Sequence, residues 1–488
     1  MKKSKELWII ILLPAFLIAC GGGKKQTLEA EKVDEATIAP RDSMQHSRVV
    51  YNATEETSFS KVEKPKIGKR IVSQDLVKLN LAQQNLEEKE TNLDEFYTKV
   101  NYVKLQHHLT DKGLGFLGNA DIKRYTKHEK GESVTSMGGF NSKVYLTENN
   151  IVAGDNYLGY HVYNNTGEFL YTLASWDQLP QYDSGTNTIT YYTNDVRTEI
   201  RNFSIWGNRA LISVREDTLY HTHIYNIERQ EGIMAFSYMS PAFIINDNLF
   251  LAYNGSISFK DGGDNYLNLI SYSKQNNLLK PTSFRNYNPG GATTKGRRYS
   301  PEYHTFTYYN NVLTTRQAYN DTIYRIKDEN TLEAVYVLNS GAMKLSNQDA
   351  SSENKENKLI IKRWLETDDF IFILSTVDQD FQNNRRDGKV KFRYYYYYKK
   401  EGKLYMKESK SLYPEEYTFG CNIDGAIPLL ANTTQQLGKR LYTSYTKSQL
   451  KNMIVNKNFK NYSSEQQDKL NSLHDGLSDG ELLVMILE

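Results

Sequence analysis

Paired turns recur along most of this chain, and that recurrence constrains the fold more than any other feature. From about Asp94 onward, short aromatic and β-branched runs alternate with turns rich in Asn, Asp and Gly, the punctuation of antiparallel sheet. In the first clear unit, 143–146 and 151–154 flank Asn149 and Asn150, while 160–163 and 169–173 flank 164–167. That is two hairpins in series. A second unit places 203–206 and 210–214 around Gly207 and Asn208, then 222–227 and 233–238 around a Glu-containing turn ending at Gly232. The third unit turns at Asn246-Asp247 and near 274–277, the fourth at Asn310-Asn311 and near 327–331, and the fifth at Asp368-Asp369 and near 399–402.

The first turns of these units lie roughly 40 to 65 residues apart, which is the chain a four-stranded propeller blade needs with loop insertions. A lone four-stranded sheet exposes two apolar faces, and stacking such sheets radially buries both. A β-sandwich would not need the same two-hairpin unit five times over. The expected fold is therefore all-β, a six-bladed β-propeller over 94–488. Its sixth unit would combine 418–430 and 439–445 with an N-terminal strand near 100–105, so that both chain ends close the ring. The 37 tyrosines against four tryptophans suit half-buried pleated surfaces. The run Tyr394 to Tyr398 must send alternate rings to opposite faces, where most of them pack.

These blades resemble the six-bladed β-propeller lipoproteins of Gram-negative bacteria, a family of largely unknown function. The resemblance rests on the hairpin 160–173 with Thr166-Gly167 at its turn, and on Asn320-Asp321-Thr322-Ile323-Tyr324 followed by Tyr336, Leu338 and Gly341. At the C-terminus, Leu470 and Leu473 and the apolar run 481–487 look like the family's closing strand, although the usual Asn-Pro before it is absent. The resemblance implies no catalytic residues.

The N-terminus reads as an export signal: Lys2, Lys3 and Lys5 precede an uncharged stretch, 7–19, that is short of the roughly 20 residues a membrane span needs. Leu17-Ile18-Ala19-Cys20 resembles the lipobox of bacterial lipoproteins, with Leu17 and Ala19 recognised by the signal peptidase. That resemblance implies removal of 1–19 and lipidation of Cys20, where two or three acyl chains anchor firmly. No Asp follows Cys20, which by the same analogy favours the outer membrane. Residues 20–70 read as a polar linker. Ser73 caps a possible short helix in 71–93, with Leu76, Leu79 and Leu86 as its apolar stripe, so a soluble form would begin near Ile71.

Chemistry is harder to find. Once Cys20 is lipidated only Cys421 is left, so no intrachain disulfide is available, and Cys421 reads as a small buried apolar residue. A net charge of +2 with scattered Lys and Arg argues against nucleic acid. His221 and His223 share one face of a strand without a third ligand, and His107 and His108 point apart. Asp261-Gly262-Gly263-Asp264-Asn265 lacks the spacing of a calcium loop and reads as a turn, as do Asp321-Thr322 and Asp424-Gly425. The segment 288–298 lacks a phosphate-loop ending, but its Arg297 and Arg298 are candidates to face the ring mouth and receive an anion. No hydrolase motif is present, and no metal or cofactor is expected. The expectation is a monomeric, membrane-tethered, non-catalytic propeller binding a protein or glycan partner. The alternative is a metal-dependent lactonase or glycan-cleaving propeller whose site is dispersed over the blades.

Overall fold

In a computed structural model the described residues are most of 58–106 and 143–488, the longer omissions within them being 175–180, 191–197, 254–265, 286–304, 346–356, 378–390 and 410–417. The compact unit that carries them spans Ser47–Glu488. Six antiparallel sheets follow one another along the chain. Blade 1 runs from Lys143–Leu146 to Phe169–Ala174, blade 2 from Thr198–Trp206 to Glu231–Phe236, and blade 3 from Pro241–Asn246 to Leu278–Arg285. Blade 4 runs from Thr305–Tyr309 to Thr331–Leu338 and blade 5 from Leu359–Glu366 to Lys403–Ser409.

Blade 6 joins the chain ends: Gln435–Leu437, Arg440–Thr446 and Leu482–Leu487 are completed by the N-terminal strand Val100–Leu105, antiparallel to Leu482–Leu487. The predicted 100–105 and 439–445 are in place. The predicted 418–430 is not in the blade. It forms a separate two-stranded pair and a 3-10 turn, because Gln466 of the following helix donates its amide to the Cys421 and Ala426 carbonyls (2.7 and 2.9 Å) and holds that loop beneath it. The helices α1 (Lys447–Val455) and α2 (Ser464–Asp475) are inserted in blade 6, each opened by a capping box, Thr446 with Gln449 and Ser463 with Gln466.

Ring closure is visible in the cores. Six apolar clusters each join one pair of neighbouring blades: Tyr160 with Phe203 for blades 1 and 2, Leu211 with Ile244 for 2 and 3, and Phe284 with Leu313 for 3 and 4. Ile323 shares a core with Ile373 between blades 4 and 5, Phe372 with Tyr445 between 5 and 6, and Val484 with Leu146 between 6 and 1, which completes the circle. The Tyr160 and Phe203 rings stack at 3.6 Å. In the tyrosine run, Tyr394, Tyr396 and Tyr398 face the blade 6 side and Tyr395 the blade 4 side, as alternation requires.

The N-terminal segment departs from expectation. Within the 20–70 linker and the 71–93 helix of the sequence reading, four strands occur instead: β1 (Ser58–Phe59), β2 (Lys61–Val62), β3 (Lys66–Ile67) and β4 (Lys69–Leu79). β1 pairs in parallel with the last strand of blade 2, β2 and β3 with that of blade 3, and β4 with that of blade 4. The chain then crosses blade 5, where the Glu87 carbonyl accepts from the Met406 N–H (3.0 Å) and the Leu81 carbonyl from the Tyr395 hydroxyl (3.1 Å), and enters blade 6 as β5 (Val100–Leu105). It is a belt over five blades. The predicted helix fails because the unpaired edge of blade 4 offers a ladder of backbone partners that an isolated helix here would forgo. Ser73 does accept a local N–H, from Asp75 (3.4 Å), but in a bulge where Val72 to Val77 faces only Ala334 to Tyr336. At Gly68 the belt passes so close to blade 3 that a Cβ would fall 2.3 Å from the Phe284 ring.

Candidate ligand-binding channel

The first strand of every blade faces the axis, and together they line a cavity of about 530 Å3. Blades 1 and 2 contribute Lys143, Tyr145, Asn202 and Phe203; blades 3 and 4 contribute Phe243, Thr305 and Phe306. Lys362, Arg363 and Trp364 come from blade 5, and Gln435 and Tyr442 from blade 6. At one end the Trp206 indole donates to the Asn311 carbonyl (3.0 Å), tying blade 2 to the non-adjacent blade 4. Tight turns gather at this end, since the first and third hairpin turns of antiparallel blades share a face: Asn310 and Asn311, with φ of 47° and 61°, form one of them. The strand ends joined by the longer connections, including the one carrying α1 and α2, lie on the opposite face.

Several polar groups of the lining serve the ring itself. The Tyr145 hydroxyl donates to the Phe203 carbonyl (3.2 Å) and the Tyr308 hydroxyl to the Ile244 carbonyl (2.7 Å), each stapling one first strand to the next. Gln435 donates to the Val144 carbonyl at 3.0 Å. Burial holds the hydroxyls of Tyr145, Tyr308 and Tyr442 well above the usual phenol range, so all three stay neutral.

Arg363 is different. Its Nη1 donates to the Ala431 carbonyl (2.9 Å) and no carboxylate among the described residues pairs with it; burial, opposed by the Tyr442 phenol oxygen, pushes the guanidinium down to about 10. Next to it Trp364, 3% exposed, packs toward Tyr336 with its ring nitrogen buried and lacking a hydrogen-bond partner among the described residues. Among the described lining residues there are three cations and no Asp, Glu, His or Cys. The sequence reading missed this trio. Its only local signal is a Lys-Arg pair between the apolar 359–361 and 364–365 of the first strand Leu359–Glu366.

The residues singled out from sequence do not converge. Cys20, Leu17, Ala19, Arg297, Arg298, His107, His108 and 261–265 lie outside the described residues. His221 and His223 sit on the third strand of blade 2, away from the axis, and no group of three metal-ligating side chains occurs among the described residues. Asp321 is a strand-entry residue paired with Lys344 (2.9 Å), and Asp424 and Gly425 occupy left-handed turn positions. Cys421 is fully buried in the core between blades 5 and 6, and burial pushes its thiol up to about 12. Thiol reagents are therefore expected to leave native Cys421 unmodified at pH 8 and to titrate it fully in denaturant. Rapid labelling of the folded protein would contradict that.

Six blades closed by a shared N- and C-terminal sheet, around one lined channel, make this a six-bladed β-propeller. The chain belongs to the family described as Domain of unknown function (DUF4933), which matches residues 59–456 and so includes nearly the whole belt. Among solved structures it is similar to a Bacteroides fragilis protein described as a "Putative exported protein", at 13% identity and a TM-score of 0.47, covering 84% of this chain and 98% of that one. It is also similar to BamB of Moraxella catarrhalis, at 6% identity and a TM-score of 0.24, covering 51% of this chain and 59% of that one. No curated protein matches.

Proposed function

We propose that this protein is a lipid-anchored, non-catalytic propeller of the cell envelope that binds a protein or glycan partner at the mouth of its channel. The observation that carries the reading is the lining itself: aromatic faces, amides, hydroxyls and three cations, the chemistry of recognition, with no described carboxylate or imidazole to move a proton. The longer connections gathered on one face provide the variable contact surface. Affinity capture from solubilised membranes, using the chain from Gly21 onward, is expected to recover a specific partner or glycan, and a bulky residue at the mouth, Thr305→Trp, to abolish capture. Hydrolysis of a lactone or glycan by the purified ring would overturn the reading in favour of an enzyme.

Anchoring is proposed through Cys20, with Ala19 and Leu17 in the recognition sequence and residence in the outer membrane. Palmitate is expected to label the wild type and not Cys20→Ala, and the variant to leave the membrane fraction. Equal label in both would end the lipid proposal and leave the ring untouched.

A further inference from the structure

We infer that the channel takes an acidic saccharide, its carboxylate paired with the guanidinium of Arg363. This rests on the binding reading above and specifies its ligand. Arg363 makes one hydrogen bond to protein, from Nη1 to the Ala431 carbonyl at 2.9 Å, so its Nε and Nη2 donors have no partner among the described residues. A guanidinium half-buried on a channel wall is partly withdrawn from bulk water, which costs free energy unless an anion compensates it, and none of the described lining residues supplies one. The fork geometry of arginine fits a carboxylate with two parallel bonds.

The rest of the lining selects the kind of carboxylate. Trp364, 3% exposed, turns its ring away from Arg363 into the core between blades 4 and 5, against Tyr336, and so leaves the channel face of this strand to the guanidinium. Asn202 and Thr307 add a neutral amide and a hydroxyl suited to ligand hydroxyls. Phe243 and Phe306, with centroids 4.9 Å apart, present apolar faces for the C–H side of a sugar ring. About 530 Å3 lies within the range of small-ligand pockets. An acidic peptide would use the cation but leave the ring of neutral hydrogen-bonding groups and aromatic faces without matching chemistry.

The test uses the chain from Gly21 onward. Trp206 and Trp364 both border the cavity, so indole fluorescence reports on it alongside calorimetry. Galacturonate and glucuronate oligomers are expected to bind, the corresponding neutral oligomers at least tenfold more weakly. Arg363→Gln should lose at least tenfold in affinity for the uronates and nothing for the neutral sugars; Arg363→Lys, which keeps the charge, guards against a folding defect, as does its melting temperature. Equal affinity for neutral and acidic sugars would overturn the carboxylate pairing while leaving a glycan-binding channel. Binding of poly-glutamate with no saccharide bound would overturn the saccharide and keep the anion site. If no sugar binds while membrane capture still yields a partner blocked by Thr305→Trp, the ligand class is wrong and the binding module stands.

Discussion

A chain that begins at Asn80, without β1 to β4, is expected to melt at least about 10 °C below the chain from Gly21 onward and to aggregate on warming. Three blades would lose their fifth strand, leaving the last strands of blades 2, 3 and 4 as open edges that invite pairing between molecules. The loss also removes Leu79, 1% exposed in the core between blades 4 and 5, and uncovers Phe284 beneath Gly68. Leu79→Ala alone should cost about 3 kcal/mol, within the usual span for a buried leucine. At roughly 2 °C per kcal/mol for a large domain, that single change lowers the midpoint by about 6 °C. The starting point near Ile71 suggested by sequence would remove β1 to β3 and the first two residues of β4 but keep Leu79, and should melt between the two. Calorimetry of the four forms decides the matter. If the chain from Asn80 melts with the full-length form, the belt is decoration and the ring is held by its six cores alone.

The blades were legible because their information is local. A hairpin is announced by residues that tolerate positive φ, and Asn310-Asn311 does so within two positions. The belt carries no such signal. Its strands are parallel and need no turn, two of them are only Ser58–Phe59 and Lys61–Val62, and their hydrogen-bond partners lie more than a hundred residues away. In β4 the spacing of Leu76 and Leu79 imitates a helical stripe, while the bulge after Val72 erases the alternation that would betray a strand. The channel was hidden for a related reason. Arg363 becomes a candidate only when Ala431, Tyr442 and the first strands of five other blades are brought around it, and no spacing in the sequence encodes that convergence. Cys421 was readable because a lone thiol among apolar neighbours has one common fate.

Glu366→Ala is expected to destabilise the ring by about 3–5 kcal/mol, the usual cost of stranding buried charge. Glu366 ends the first strand of blade 5 and is fully buried. Its Oε1 accepts from Arg325 Nη2 (2.7 Å), from Lys399 Nζ (2.9 Å) and from the Tyr336 hydroxyl, so one carboxylate neutralises two cations drawn from blades 4 and 5. The cations have few alternatives. Lys399 also donates to the Thr367 carbonyl at 2.6 Å and lies 4.4 Å from the Tyr309 ring centroid, and Arg325 sits between the rings of Tyr309 and Tyr336 at 5.2 and 5.9 Å. Burial and the neighbouring carboxylate raise the Tyr336 phenol well above its ordinary range, so it remains a donor throughout the accessible pH span. A contrast isolates the effect of burial: Glu87, 66% exposed beside Lys403 at 2.7 Å, should cost far less when changed to Gln, because solvent screens the pair. Urea unfolding of both variants reads the difference. Equal losses would mean that the Glu366 cluster is as well solvated as the surface pair, and that the joint between blades 4 and 5 depends on its apolar core rather than on this charge.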